Sequence, residues 1–274
     1  MIYNIHHLHC GTMCPVCAPL YGQKGFTAKM VCHCLLIETD QGLVLVDTGF
    51  GTQDYLHPQT RLGKIFTKVS AIQSDFQLTA IAQIQQLGFK ASDVKHILVS
   101  HLDLDHAGGI SDFPQATIHI LSTEFNAAQK LSVMNKLRYR PQQFKNHRYW
   151  NFLEPKNGEP WFNFHNVQGF KLFNDEILLI PLLGHTAGHC GIAIKQKDNW
   201  LLFCGDAYFN HLELDPRNKR SLLDKTERLL ADNNRLRLKT LSEIQTLALN
   251  EPKIEIICAH DPVELDRYLR TDKQ

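Results

Sequence analysis

The sequence predicts an α/β fold in which two β-sheets are sandwiched between layers of helices. Two observations predict it. Five short apolar runs, at residues 43–46, 97–99, 177–180, 200–204 and 254–258, read as buried strands, and each is followed by a histidine or an aspartate. Between them lie stretches with apolar residues at helical spacing, so strands and helices alternate through two halves of the chain.

Taken in order, residues 2–10 and 29–39 read as strands leading to Leu43-Val-Leu-Val46 and the turn Asp47-Thr48-Gly49. Residues 75–88 carry Phe76, Leu78, Ala80, Ile81, Ile84 and Leu87 as one helical stripe closed by Gly88, which reads as core packing. Ile97-Leu98-Val99 is a strand ended by Ser100, residues 117–121 form another, and Ser122 is expected to cap a helix over 123–130. Residues 222–230 and 236–249 read as two further helices, and Pro262 at a first helical turn starts a last short one. No short-period repeat or low-complexity stretch occurs, and residues 1–274 are expected to form a single domain.

The chemistry concentrates at the ends of the apolar runs. His101-Leu-Asp-Leu-Asp-His106 follows one strand and Ala107-Gly108-Gly109 follows it in turn. Ionisable residues and glycines pack poorly, but imidazole nitrogen and carboxylate oxygen suit Zn²⁺, Mn²⁺ or Fe²⁺. Taken alone, the cluster also reads as a solvated loop with a capping aspartate. Recurrence weighs against that reading: Gly184-His185-Thr-Ala-Gly-His189, Gly205-Asp206 and Ala259-His260-Asp261 each follow a buried strand. The mouth of such strands is where α/β sheets gather ligands.

Ser100-His-Leu-Asp-Leu-Asp-His-Ala-Gly-Gly109 resembles the His-x-His-x-Asp-His signature loop of the metallo-β-lactamase superfamily. Gly184 to His189, Gly205-Asp206 and Ala259-His260 resemble its later motifs in order, and Asp47-Thr48-Gly49 its first. Within the superfamily, chain length and the spacing from His185 to Asp206 look most like the acyl-homoserine-lactone lactonases. The resemblance implies a four-layer αββα sandwich. It implies that His101, Asp103 and His185 hold one metal, that Asp105, His106 and His260 hold a second, and that Asp206 bridges them. Asp47 would brace the ligand loop by hydrogen bonds. The implied cofactors are two divalent metal ions, zinc first, with iron or manganese as alternatives. A metal-bound hydroxide would open a lactone, ester, thioester or amide carbonyl, with Asp105 or Asp206 taking up a proton.

One residue departs from the pattern. The family's second histidine is Asp103 here. Its carboxylate either coordinates and hardens that position, or points to solvent and leaves a mononuclear site. A glutamate at this place occurs in flavodiiron oxygen reductases of the same superfamily, which keeps a diiron oxidoreductase as an alternative, although no flavin-binding second domain is present. A metal-binding protein without catalysis is a third reading. Tyr208 is a further catalytic candidate, but the lactonases carry their tyrosine one residue later, where this chain has Phe209.

Residues 135–168 stand apart, rich in arginine, aromatics and turn formers: Arg138-Tyr-Arg140, His147-Arg-Tyr-Trp150, Pro155, Asn157-Gly158 and Pro160-Trp-Phe162. The segment either overhangs the metals with an aromatic wall and an arginine for substrate, or is a surface excursion packed by its own aromatics or a contact in a homodimer.

Of eight cysteines, Cys10, Cys14 and Cys17 lie near Cys32 and Cys34 without zinc-ribbon spacing, and read first as inert or pocket-lining thiols, second as an extra metal or redox site. Cys190, Cys204 and Cys258 read as small core residues. The net charge of +1 gives no reason to expect nucleic acid or an anionic membrane as partner, so a small-molecule substrate is expected. No apolar run reaches the ~18 residues of a spanning helix. The N-terminus lacks the pattern of a signal peptide, and the expected location is cytoplasmic.

Overall fold

The computed structural model describes residues 1–130, 135, 138–154, 158–218 and 221–271. Strands β1 (Ile2–Met13), β2 (Met30–Thr39), β3 (Gly42–Val46), β4 (Ile72–Gln73), β5 (Val94–Leu98), β6 (Thr117–Leu121) and β7 (Trp150–Leu153) form one sheet in the order β4-β1-β2-β3-β5-β6-β7. Strands β8 (Glu159–Trp161), β9 (Phe164–Gly169), β10 (Ile177–Pro181), β11 (Cys190–Lys195), β12 (Trp200–Phe203) and β13 (Glu255–Ile257) form the other, in the order β13-β12-β11-β10-β9-β8.

The layering follows from strand alternation, because neighbouring side chains point to opposite faces. Leu35 and Ile37 of β2 and Val44 and Val46 of β3 meet Ile177 and Leu179 of β10 and Ile192 and Ile194 of β11 in one buried cluster between the sheets. The intervening Leu36 and Leu45 face the other way, onto Ala80 and Ile84 of the Ala80–Gln86 helix. Leu178 and Ile180 face away likewise, onto Ile244 and Leu247 of the Asn234–Asn250 helix. Helices therefore cover both outer faces, and the expected αββα sandwich is what the chain forms.

Two local expectations are corrected. The stripe at 75–88 divides into a 3-10 turn at Phe76–Leu78 and a helix at Ala80–Gln86, because Thr79 is extended and its hydroxyl accepts from Ala82 N. Ser122 is the first residue of the Ser122–Ala128 helix rather than its cap, and its hydroxyl donates to Glu154 instead. Of the readings of 135–168, self-packing describes most of its aromatics: Trp150 and Phe152 stack with Phe125 beside both. Most lie on the edge strand β7 and around Trp161, while the Arg138-Tyr139 end reaches the ligand loops, Tyr139 through an isolated β-bridge to Asp103 and Arg138 through His185 O. Pro155 and Asn157 lie outside the described residues. No described helix is long and apolar enough to cross a membrane.

Candidate metal centre

The register of the sheets gathers the motifs. Parallel pairing of β3 with β5 sets Val46 against Leu98, so Asp47 and Ser100 emerge side by side. Parallel pairing of β12 with β13 sets Phe203 against Ile257, which places Asp206 beside His260. The hairpin β10–β11 closes at Pro181 and Cys190 and carries His185 in its loop. Backbone bonds stitch the two sheets at this end: Cys190 N donates to Ser100 O at 3.0 Å, and His33 N to Ala259 O at 2.9 Å. Gly184 precedes His185 at φ +130, where a Cβ would lie 2.1 Å from Arg237 N, so only glycine lets this loop pass.

Seven side chains converge there. His101, Asp103, His185 and Asp206 offer ligand atoms that all lie within 4.8 Å of one another, and Asp105, His106 and His260 form a second such group. Both groups consist of the residues singled out from the sequence. Asp103 faces the centre rather than solvent: its Oδ2 is 3.0 Å from His185 Nε2 and 3.4 Å from His101 Nε2. Asp206 lies between the groups. Its Oδ1 is 3.1 Å from both His106 Nε2 and His260 Nε2, while its Oδ2 is 3.3 Å from His185 Nε2. His260 also touches Oδ2 at 3.2 Å.

The rings are aimed by what holds their other nitrogen. His106 Nδ1 donates to Asp47 Oδ2 at 2.8 Å, and His260 Nδ1 to Val31 O at 2.8 Å. Ser100 Oγ donates to Asp47 Oδ2 at 2.6 Å and so accepts from His101 Nδ1 at 2.9 Å. Ser100 N donates to Asp47 Oδ1 at 2.7 Å, and Asp47 itself sits at φ 52, a left-handed position unusual for a side chain other than glycine. The tautomers that satisfy these bonds turn three Nε2 lone pairs inward.

Those lone pairs make the case for a cation. His101 Nε2, His106 Nε2, Asp103 Oδ1 and Asp206 Oδ1 are buried and lack a hydrogen-bond partner. Lone pairs on nitrogen facing carboxylate oxygens repel unless positive charge lies between them. Burial disfavours a charged His106, yet Asp206 and Asp47 outweigh it and push the ring upward. Burial likewise opposes a charged Asp206, but His260, His106 and His185 hold it well below the usual carboxylate range. The donor set, imidazoles with carboxylates, fits divalent zinc, iron or manganese.

Tyr208 is the correction. It is fully buried among Ile244, Leu247 and Cys258, and its hydroxyl donates to Glu264 Oε1 at 3.0 Å. Its neighbour Phe209 faces the site instead, with its ring 5.3 Å from His260 and 6.0 Å from His185. Cys10, Cys32 and Cys34 are buried, and no group of candidate ligands among the described residues includes a cysteine.

Two supports escaped the sequence reading. Glu124, fully buried, accepts from Leu102 N at 3.0 Å and Gly188 N at 2.9 Å, clamping both ligand loops with one carboxylate. His189 donates from Nδ1 to Leu182 O at 2.8 Å and accepts from Asp206 N at 2.9 Å, which fixes the backbone of the bridging residue. No local pattern marks Glu124, which reads as an ordinary first-turn acid. His189 was visible in its motif, but nothing there separates a ligand from a brace.

Residues 28–260 match the metallo-beta-lactamase superfamily. A "probable metallo-hydrolase" of Mycobacterium tuberculosis is 37% identical over 263 residues, covering 94% of this chain and 80% of that protein. An N-acyl homoserine lactonase of Bacillus cereus is 24% identical over 229 residues, 83% of this chain and 80% of the relative. Among solved structures, an N-acyl homoserine lactone hydrolase with its product N-hexanoyl-L-homoserine at the catalytic metal centre superposes with a TM-score of 0.73 at 19% identity, over 97% of this chain and 96% of that one. On this match across most of its length, the chain belongs to the metallo-β-lactamase superfamily.

Proposed function

We propose that this metallo-hydrolase opens a lactone, ester or thioester carbonyl of a small molecule at a two-metal centre. His101, Asp103 and His185 would hold one divalent ion, Asp105, His106 and His260 the other, and Asp206 both. The observation that carries the reading is the division of the Asp206 oxygens, Oδ1 toward His106 and Oδ2 toward His185. Two divalent ions supply a nucleophile from water near neutral pH and polarise the substrate carbonyl. Zinc is the first choice for these donors, and the three aspartates also suit iron or manganese.

The chain's own residues do the rest. Asp105, whose carboxyl is pushed upward by burial, turns Oδ2 to His260 at 3.6 Å, and its other oxygen would take the proton released by the attacking water and return it to the leaving oxygen or sulfur. Phe209 walls the centre with an apolar ring and offers no hydroxyl, so a developing oxyanion would draw its stabilisation from bound metal rather than from a tyrosine at this place. The lactone class is favoured by the likeness to N-acyl homoserine lactonases. All eight cysteines are unpaired, which fits a reducing compartment and a cytoplasmic location. Asp206→Ala is expected to abolish hydrolysis of a lactone and thioester panel and to remove bound metal, read by elemental analysis. Full activity at full metal occupancy in that variant would refute the two-metal centre.

A further inference from the structure

We propose that Arg138 and Asp103 act as one unit that replaces the neutral second histidine of the signature loop, Arg138 cancelling the added charge and presenting a single oxygen of Asp103 to the first metal. The proposal rests on the two-metal reading above.

Asp103 is divided between two tasks. Its Oδ2 faces His185 Nε2 at 3.0 Å and His101 Nε2 at 3.4 Å, while its Oδ1 faces Arg138 Nε at 3.4 Å, an ion pair without hydrogen-bond alignment. Both side chains are largely enclosed, Arg138 at 16% and Asp103 at 14% exposure. An isolated β-bridge joins Asp103 to Tyr139, so the backbone beside Arg138 is tied directly to the ligand loop. The guanidinium is held on its far side as well. One terminal nitrogen donates to His185 O at 2.6 Å, and the other donates to Leu230 O at the end of the Ser221–Leu230 helix. A helix C-terminus favours a cation there.

The charge arithmetic gives the pair its meaning. A histidine ligand at position 103 would be neutral, whereas aspartate adds a negative charge beside Asp105 and Asp206. Arg138 adds one positive charge on the outer oxygen, so the position gains a hard oxygen donor with no change in net charge. Arginine suits this better than lysine, because only a planar fork can address a carboxylate and two carbonyls in fixed directions at once. Arg138, one of the arginines an overhanging segment could have offered to substrate, is thereby committed to the protein. Arg138 is a positioning residue: it acts through Asp103 and the His185 loop.

The test is a double-mutant cycle on metal affinity, using Zn²⁺ alone with the full-length chain and a competing chromophoric chelator. Wild type is expected to hold two ions per chain. Arg138→Gln in the wild-type background is expected to weaken one of the two positions about tenfold, the size seen for residues that orient ligands. In the Asp103→His background, the same Arg138→Gln change is expected to weaken that position at most about twofold, because no carboxylate is left to neutralise and the lost contact to His185 O is offset by removal of a cation facing a neutral ring. Arg138→Lys, the milder variant should Arg138→Gln fold poorly, keeps the charge and is expected to fall between. The loss of most of the effect in the Asp103→His background is the signature. Equal effects in both backgrounds would overturn the unit while leaving the two-metal centre standing; a wild-type chain that holds fewer than two ions would overturn the two-metal centre itself.

Discussion

The two candidate metal positions are built differently. The second, Asp105, His106 and His260, is braced from beneath by the sheets: Asp47 at the end of β3 holds His106, and the Val31 carbonyl in β2 holds His260. The first, His101, Asp103 and His185, is braced from outside by side chains remote in sequence, Arg138 over Asp103 and Glu124 across the two loops. Asp47 also reaches His101 of the first position through Ser100, so that brace is shared; what sets the first position apart is its added dependence on side chains reaching across space.

Breaking the inner brace is expected to have the larger effect. Asp47→Ala removes three hydrogen bonds, leaving His106 without its partner and the Ser100–His101 pair without its anchor, so it is expected to cost about 3 kcal/mol of stability, as for a broken buried pair, and about 10- to 100-fold in affinity at the second position with a smaller loss at the first. Thermal melts and zinc titration read both. Glu124→Gln substitutes an amide that cannot accept through both of its polar atoms, so one of Leu102 N and Gly188 N loses its acceptor. The expected cost is about 1–3 kcal/mol, with weakening confined to the first position. Equal weakening of both positions by Glu124→Gln would erase the contrast between them.

Acid probes the sheets beneath both positions. His119 accepts from Asn151 at Nδ1 and so donates from Nε2 to His96, and burial holds its pKa down to about 3; burial does the same for His7, paired with His33. The unfolded chain binds these protons below about pH 6.5 and the folded chain does not, so this stability is present above 6.5 and is lost as pH falls toward 3. In metal-free protein each such ring is expected to contribute a slope of about 1.4 kcal/mol per pH unit across that window, and His119→Asn is expected to flatten it. A slope unchanged in that variant would place the acid sensitivity elsewhere. The smallest effect is expected from Tyr208→Phe. It loses the bond to Glu264, whose carboxyl burial pushes up to about 7, at a cost of about 1 kcal/mol with turnover unchanged. A large loss of turnover at full stability would return Tyr208 to the site.

All seven convergent side chains were legible in the sequence, because strand ends are local signals and the ligands follow them within a few residues. The layers were legible for the same reason, through alternation in strands such as 35–37 and 177–180. The offset of Tyr208 from the lactonase tyrosine was visible, since that position falls on Phe209, but its bond to Glu264 was not, because that contact exists only after the last helix packs beneath it. Arg138, Glu124 and His189 were not, because their roles exist only after loops distant in sequence meet. Thr79 interrupted a continuous apolar stripe by taking an extended conformation that periodicity does not register.

The stitching of the sheets at the ligand end has a consequence for assembly. His101, Asp103, Asp105 and His106 follow a strand of one sheet, while His185, Asp206 and His260 follow strands of the other. Neither candidate position can be completed by one half of the chain. If metal fills these positions, it binds only the docked pair of sheets and stabilises that pairing by mass action. A polypeptide divided between β7 and β8 would then carry two inert fragments whose reunion the ion itself rewards, making the cation an adhesive between halves as well as a reagent.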